Sequence, residues 1–130
     1  MKQSTFLLIA GGLGIVFGLG MLLSPNQVMG MNGISLNEGS VMVARTLGAL
    51  LFCLGVINVM VRQAEVSSAL QAILYGNLAV HVLSLVLDIM AVTSGVVNTN
   101  GWGSVVLHVV LGGGFAYFLF GKAKVGVSSV

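Results

Sequence analysis

The chain lacks most of what a water-soluble protein needs. Of its 130 residues only 6% are charged, and it has a single proline and a single cysteine. A soluble domain carries about a quarter Lys, Arg, Asp and Glu; five basic and three acidic side chains cannot cover even a small sphere. This scarcity excludes a soluble enzyme, a nucleic-acid binder and a disordered linker. Cys53, being alone, excludes an intrachain disulfide, a Cys-x-x-Cys redox pair and a zinc knuckle. The net charge of +2 is too small to attract nucleic acid.

What is present is apolar. Hydrophobic residues make up 57% of the chain, and the mean hydropathy is +1.09. A helix needs about 20 mostly apolar residues to cross a bilayer. Four stretches meet that length: Phe6–Leu23, Val41–Val61, Ala69–Val92 and Trp102–Phe120. None alternates as a barrel strand would, and a helix satisfies its own backbone in hydrocarbon. The expectation is therefore an all-α integral membrane four-helix bundle with antiparallel up-down topology and no separate soluble domain.

The connections are short and polar. Ser24-Pro25-Asn26 ends the first span, because proline cannot continue the hydrogen-bond ladder. Residues 24–40 then read as the longest loop. Arg62-Gln63-Ala64-Glu65 reads as a tight turn between spans two and three, which are expected to pair as a hairpin. Asn98-Thr99-Asn100-Gly101 reads as a turn before Trp102, an interfacial aromatic. Lys2, Arg62, Lys122 and Lys124 fall on one side of a four-span topology. The positive-inside rule makes that side cytoplasmic and predicts N-in and C-in, in a bacterial cytoplasmic membrane. No Ala-x-Ala site precedes the Ser-Pro break, so the first span reads as retained rather than as a cleaved signal.

Small residues recur at four-residue spacing: Ala10, Gly14 and Gly18 on span one, Ala44 and Gly48 on span two, Gly112 and Ala116 on span four. Such faces let helices approach closely in lipid; they predict packing within the bundle first and a self-association seam second. Gly112-Gly113-Gly114 exceeds simple packing need and predicts either a flexible point or a close crossing. The seven methionines are scattered and form no soft-metal cluster.

Only Arg45 and Asp88 place formal charge inside the spans. Each costs roughly 2.5 to 3.5 kcal/mol at a helix centre, so each calls for a partner or water. Both lie about 6 Å inside the same boundary at 1.5 Å per residue, which predicts an Arg45–Asp88 ion pair. His108 lies at about 9 Å and His81 at about 16 Å from that boundary. Asn77, His81, Ser84 and Asp88 follow the spacing of one helix face. The stripe reads either as a proton path or polar ligand site, or as glue between helices. Two histidines raise the question of haem; trans ligands need matching depth, and about 7 Å separates these two on the same rise, which argues against it. Neither a catalytic nucleophile with its base nor a metal set is visible.

Four spans and the motif Arg45-Thr46-Leu47-Gly48 at the start of a glycine-rich second helix resemble the small bacterial membrane proteins called DoxX-like. That resemblance implies the same four-helix architecture and hints at a quinone. The leading functional expectation is a non-enzymatic accessory or assembly subunit, or a self-associating scaffold, with the lipid bilayer and a homo-oligomer or larger membrane complex as partners. The alternatives are a transporter or channel for protons or a small solute along span three, and a quinone-linked redox subunit using Arg45, Asp88 and His108.

Overall fold

The computed structural model describes residues 1–121; Lys122 and Lys124 lie outside the described residues. Five helices follow in order: α1 (Gln3–Leu23), α2 (Pro25–Met31), α3 (Glu38–Val61), α4 (Ser68–Thr93) and α5 (Gly101–Ala116). A π-helical turn, Tyr117–Gly121, extends α5. The described residues contain no strand. Four of these helices, counting α5 with its π turn, are long and apolar enough to cross a membrane. They match the four stretches read from hydropathy, each extended by one to three residues where a polar cap begins the helix.

Local chemistry sets those ends. The Asn37 side chain accepts from the Ser40 backbone N–H at 2.8 Å, and Glu38 sits in the first turn of α3, where the helix dipole favours an anion. Ser67 caps α4 by accepting from the Leu70 N–H at 3.2 Å. The first connection is not all loop. Pro25, read as a stop signal, also occupies the first turn of α2, where its missing N–H costs nothing. α2 is then fastened from across the bundle. Asn98 and Asn100 both donate side-chain N–H groups to the Met31 carbonyl, at 3.1 and 2.8 Å. The Asn98 side chain also lies against Gly33, whose φ of 79° suits glycine.

Packing is dominated by two close helix pairs, α1 with α3 and α4 with α5. In the first pair the backbones touch. A Cβ on Gly55 would lie 2.7 Å from the Gly11 carbonyl oxygen and 2.7 Å from the Ile15 nitrogen; one on Gly18 would lie 2.5 Å from the Phe52 nitrogen. Gly48 meets the Gly18 carbonyl in the same way, at 2.8 Å. Gly11 faces Gly55 while Gly18 faces Gly48, so α1 and α3 run in opposite directions with a constant register. Gly11 to Gly18 and Gly48 to Gly55 are each seven residues, two full turns, and within the seam Gly14 and Gly18 keep the four-residue spacing that the sequence suggested.

Gly14, Gly18 and Gly48 are in the seam as expected. Ala10 instead joins the apolar core of Phe6, Leu7, Leu70, Leu74, Leu111, Phe115 and Phe118. Ala44 is buried and Ala116 half-buried. The triple glycine is a double crossing: Gly112 lies against the His81 Cβ on α4, and Gly114 lies under the Phe6 ring of α1.

The hairpin of α3 and α4 is looser than expected. Their backbones approach sparsely, and a buried amide pair joins them. Asn58 Nδ2 donates to Asn77 Oδ1 at 2.8 Å, Asn77 Nδ2 donates back to Asn58 Oδ1 at 3.0 Å, and Asn77 Nδ2 also donates to the Ile73 carbonyl at 2.9 Å. In a bilayer each such interhelical bond contributes about 0.6 to 2 kcal/mol. Two in one reciprocal pair fix the height of α4 against α3.

Candidate functional site: an Asp–His–His chain

The polar face of α4 follows from its residue spacing, and α5 completes it. His81 on α4 and His108 on α5 meet with their Nδ1 atoms 2.8 Å apart. On the far edge of His108, Nε2 lies 3.5 Å from Asp88 Oδ2. The order in space is therefore Asp88, His108, His81, alternating between two helices. The first contact is a hydrogen bond. The second is an ion-pair distance that stops short of one.

Burial sharpens this arrangement. The His108 and Asp88 side chains are 20% and 28% exposed, yet Asp88 Oδ2 itself is sealed and accepts no hydrogen bond. The Phe115 ring, fully buried, stacks on His81 with centroids 5.4 Å apart and an interplanar angle of 21°. Phe6 meets Phe115 edge-on at 4.8 Å. Gly112 matters here, because a Cβ there would stand 3.3 Å from the His81 Cβ. The glycine lets α5 come close enough for the two imidazoles to touch.

A bond between two Nδ1 atoms constrains the protons. One nitrogen must carry hydrogen and the other must not, since a neutral imidazole has one donor and one acceptor. Asp88 stands beside Nε2 of His108, which favours the proton there. His108 Nδ1 is then the acceptor and His81 Nδ1 the donor. The 2.8 Å separation also leaves no room for an iron or zinc between the rings, since each metal–nitrogen bond needs about 2.0 Å. Among the described residues, no group of three or more His, Cys, Asp or Glu is arranged to hold a metal ion.

The expected site is only partly assembled. Asp88, His108 and His81 come together. Ser84 is half-buried one turn below Asp88 and makes no hydrogen bond through its hydroxyl among the described residues. Asn77 is taken by Asn58. Arg45 is exposed and has no ionic partner among the described residues, so the Arg45–Asp88 pair is not formed within the chain. The reason is rotational. Arg45 is thirteen residues from Asn58, which at about 100° per residue turns it roughly 140° away from the side of α3 that meets α4. The quinone site imagined from Arg45, Asp88 and His108 is likewise not gathered.

Sequence reasoning missed Asn58, although an amide inside an apolar span was its own signal. It also kept His81 and His108 apart on depth. Imidazole side chains reaching toward each other bridge that offset, and the ring centroids are 5.1 Å apart. Comparison with known proteins returns no match: no family model, no characterised protein and no solved structure corresponds to this chain.

Proposed function

We propose that this is a multi-pass membrane protein that takes up and passes protons through Asp88, His108 and His81, in the class of proton-coupled transporters or proton-handling membrane subunits. The Nδ1–Nδ1 hydrogen bond at 2.8 Å carries the reading. Histidine is the side chain that exchanges protons near neutral pH, and two in direct contact inside a membrane form the start of a relay.

The transfer balances. A proton bound at Nε2 of His81 lets its Nδ1 proton pass to Nδ1 of His108, which releases its own Nε2 proton to the Asp88 carboxylate. Each step breaks one bond to hydrogen and makes one, and both rings end neutral. The last step requires the 3.5 Å gap to shorten by about 0.6 to 0.8 Å to reach charge-assisted hydrogen-bond length. Past His81 stand the buried Phe115, Leu74 and the Asn58–Asn77 pair. Net transfer across the membrane therefore requires these groups to part, so that a proton reaches His81 on one side and leaves Asp88 on the other.

The orientation belongs to the same proposal. With N-in and C-in topology in a bacterial cytoplasmic membrane, Asp88 lies toward the outside. The resemblance to DoxX-like proteins also belongs here, resting on the span count and Arg45-Thr46-Leu47-Gly48. Of the small residues that motivated the scaffold reading, Gly14, Gly18 and Gly48 pack between α1 and α3, Ala10 lies in the apolar core and Gly112 packs against α4. A direct test reconstitutes the protein in liposomes holding a pH-sensitive dye and imposes a potassium diffusion potential. The protein should raise proton entry clearly above that of empty liposomes. Entry equal to empty liposomes in both membrane orientations would defeat the proposal.

A further inference from the structure

We infer that Arg45 is the counter-ion of Asp88 in a neighbouring copy of this chain, so that the Asp–His–His chain is completed between subunits. The pairing is independent of whether the site moves protons. It rests on height, direction and charge.

Height comes from the Asn58–Asn77 pair, which puts a common mark on α3 and α4. Going from that mark away from the short α3–α4 turn, Arg45 stands about 20 Å along α3 and Asp88 about 16 Å along α4, at 1.5 Å per residue. The one cation and the one anion within the spans therefore occupy nearly one layer. Direction forbids them from meeting in one molecule. Arg45 points away from α4, whereas Asp88 lies on the face of α4 that carries Asn77, eleven residues earlier and about 20° around the helix.

Charge then calls for a partner. Arg45 is exposed with no ionic contact among the described residues, and the Asp88 side chain is 28% exposed while its only ion-pair contact is a histidine. α3 and α4, which bear these charges, are also the least covered of the four long helices. A guanidinium presents its donors in a fork matched to a carboxylate. Arg45 of the partner subunit, arriving at the same height, meets the open side of the carboxylate whose Oδ2 is turned inward to His108. Because the two groups lie on different faces of one chain, the contact is head-to-tail, and it links copies into a ring when the rotation between neighbours closes.

The competing occupant of Arg45 is a lipid phosphate, and the experiment separates the two. Particles extracted with their native lipids, without detergent, should have a mass that is a multiple of 13.4 kDa. Arg45→Glu and Asp88→Arg should each reduce them to single chains, and the double variant should restore the multiple. Oxidative cross-linking supplies a second readout should a charge variant fail to fold. In a Cys53→Ser background, Arg45→Cys with Asp88→Cys should give a ladder of covalent multimers, and either change alone should not. A single-chain wild type, loss of bound anionic lipid with unchanged mass in Arg45→Glu, or cross-linked product confined to single chains would each overturn the inference.

Discussion

Gly55→Ala should destabilise the protein by about 2 to 3 kcal/mol, the upper part of the roughly 1 to 3 kcal/mol that an added methyl costs in a well-packed interior. Gly12→Ala, one helix away, should cost nothing or stabilise by about 0.5 to 1 kcal/mol through better helix propensity. The contrast follows from what each new methyl meets. At Gly55 the Cβ lands 2.7 Å from a carbonyl oxygen and 2.7 Å from a backbone nitrogen of α1, neither of which can rotate aside. At Gly12 nothing lies within 4 Å. Relief at Gly55 requires the whole helix pair to separate, and Gly18, Gly48 and Gly11 lose their contacts together because they share one register. In lipid that close approach is the main source of helix association. Unfolding of both variants in the same lipid–detergent mixture checks this; equal stability would mean that the α1–α3 seam is not formed.

The second large effect is on proton movement. His108→Phe should lower proton entry into liposomes at least tenfold, in line with the roughly 10²- to 10⁴-fold contributed by a positioned acid–base group. Phenylalanine keeps a ring beside His81 but supplies no nitrogen on either edge. Asp88 and His81 are then separated by a side chain that neither accepts nor donates a proton. Thr46→Val, on the exposed face of α3, removes only a hydroxyl bonded to its own helix at the Met42 carbonyl, and should leave proton entry unchanged. Proton entry through His108→Phe at the wild-type rate would remove His108 from the path.

Much of the architecture was legible in the sequence, because span length and hydropathy are set by bilayer thickness. The caps Asn37 and Ser67 were not read from the sequence, although both are cap-forming residue types that stand where α3 and α4 begin. What was not legible is whatever depends on rotation and on partner choice. Pro25 was read as ending one helix, but the same fixed φ that ends α1 starts α2. The glycines of α1 and α3 fit several spacings, and only the register of the two helices selects Gly11 and Gly55. Arg45 was paired with Asp88 on depth alone, and a depth count carries no azimuth. His81 and His108 were held apart because backbone rise was counted and side-chain reach was not. The stripe on α4 was correctly seen as one face, yet it divides into a structural amide, Asn77, and a chemical pair, His81 and Asp88. That division is made by residues on other helices, Asn58 and His108.

The most direct test of the relay is nitrogen-15 spectroscopy of the histidine-labelled protein in bilayers. With two histidines in the chain, the imidazole region is fully assignable. The account predicts one protonated and one unprotonated Nδ1, coupled to each other across the shared hydrogen, with Asp88→Asn shifting the Nε2 signal of His108. Two uncoupled imidazoles, each indifferent to Asp88→Asn, would contradict it.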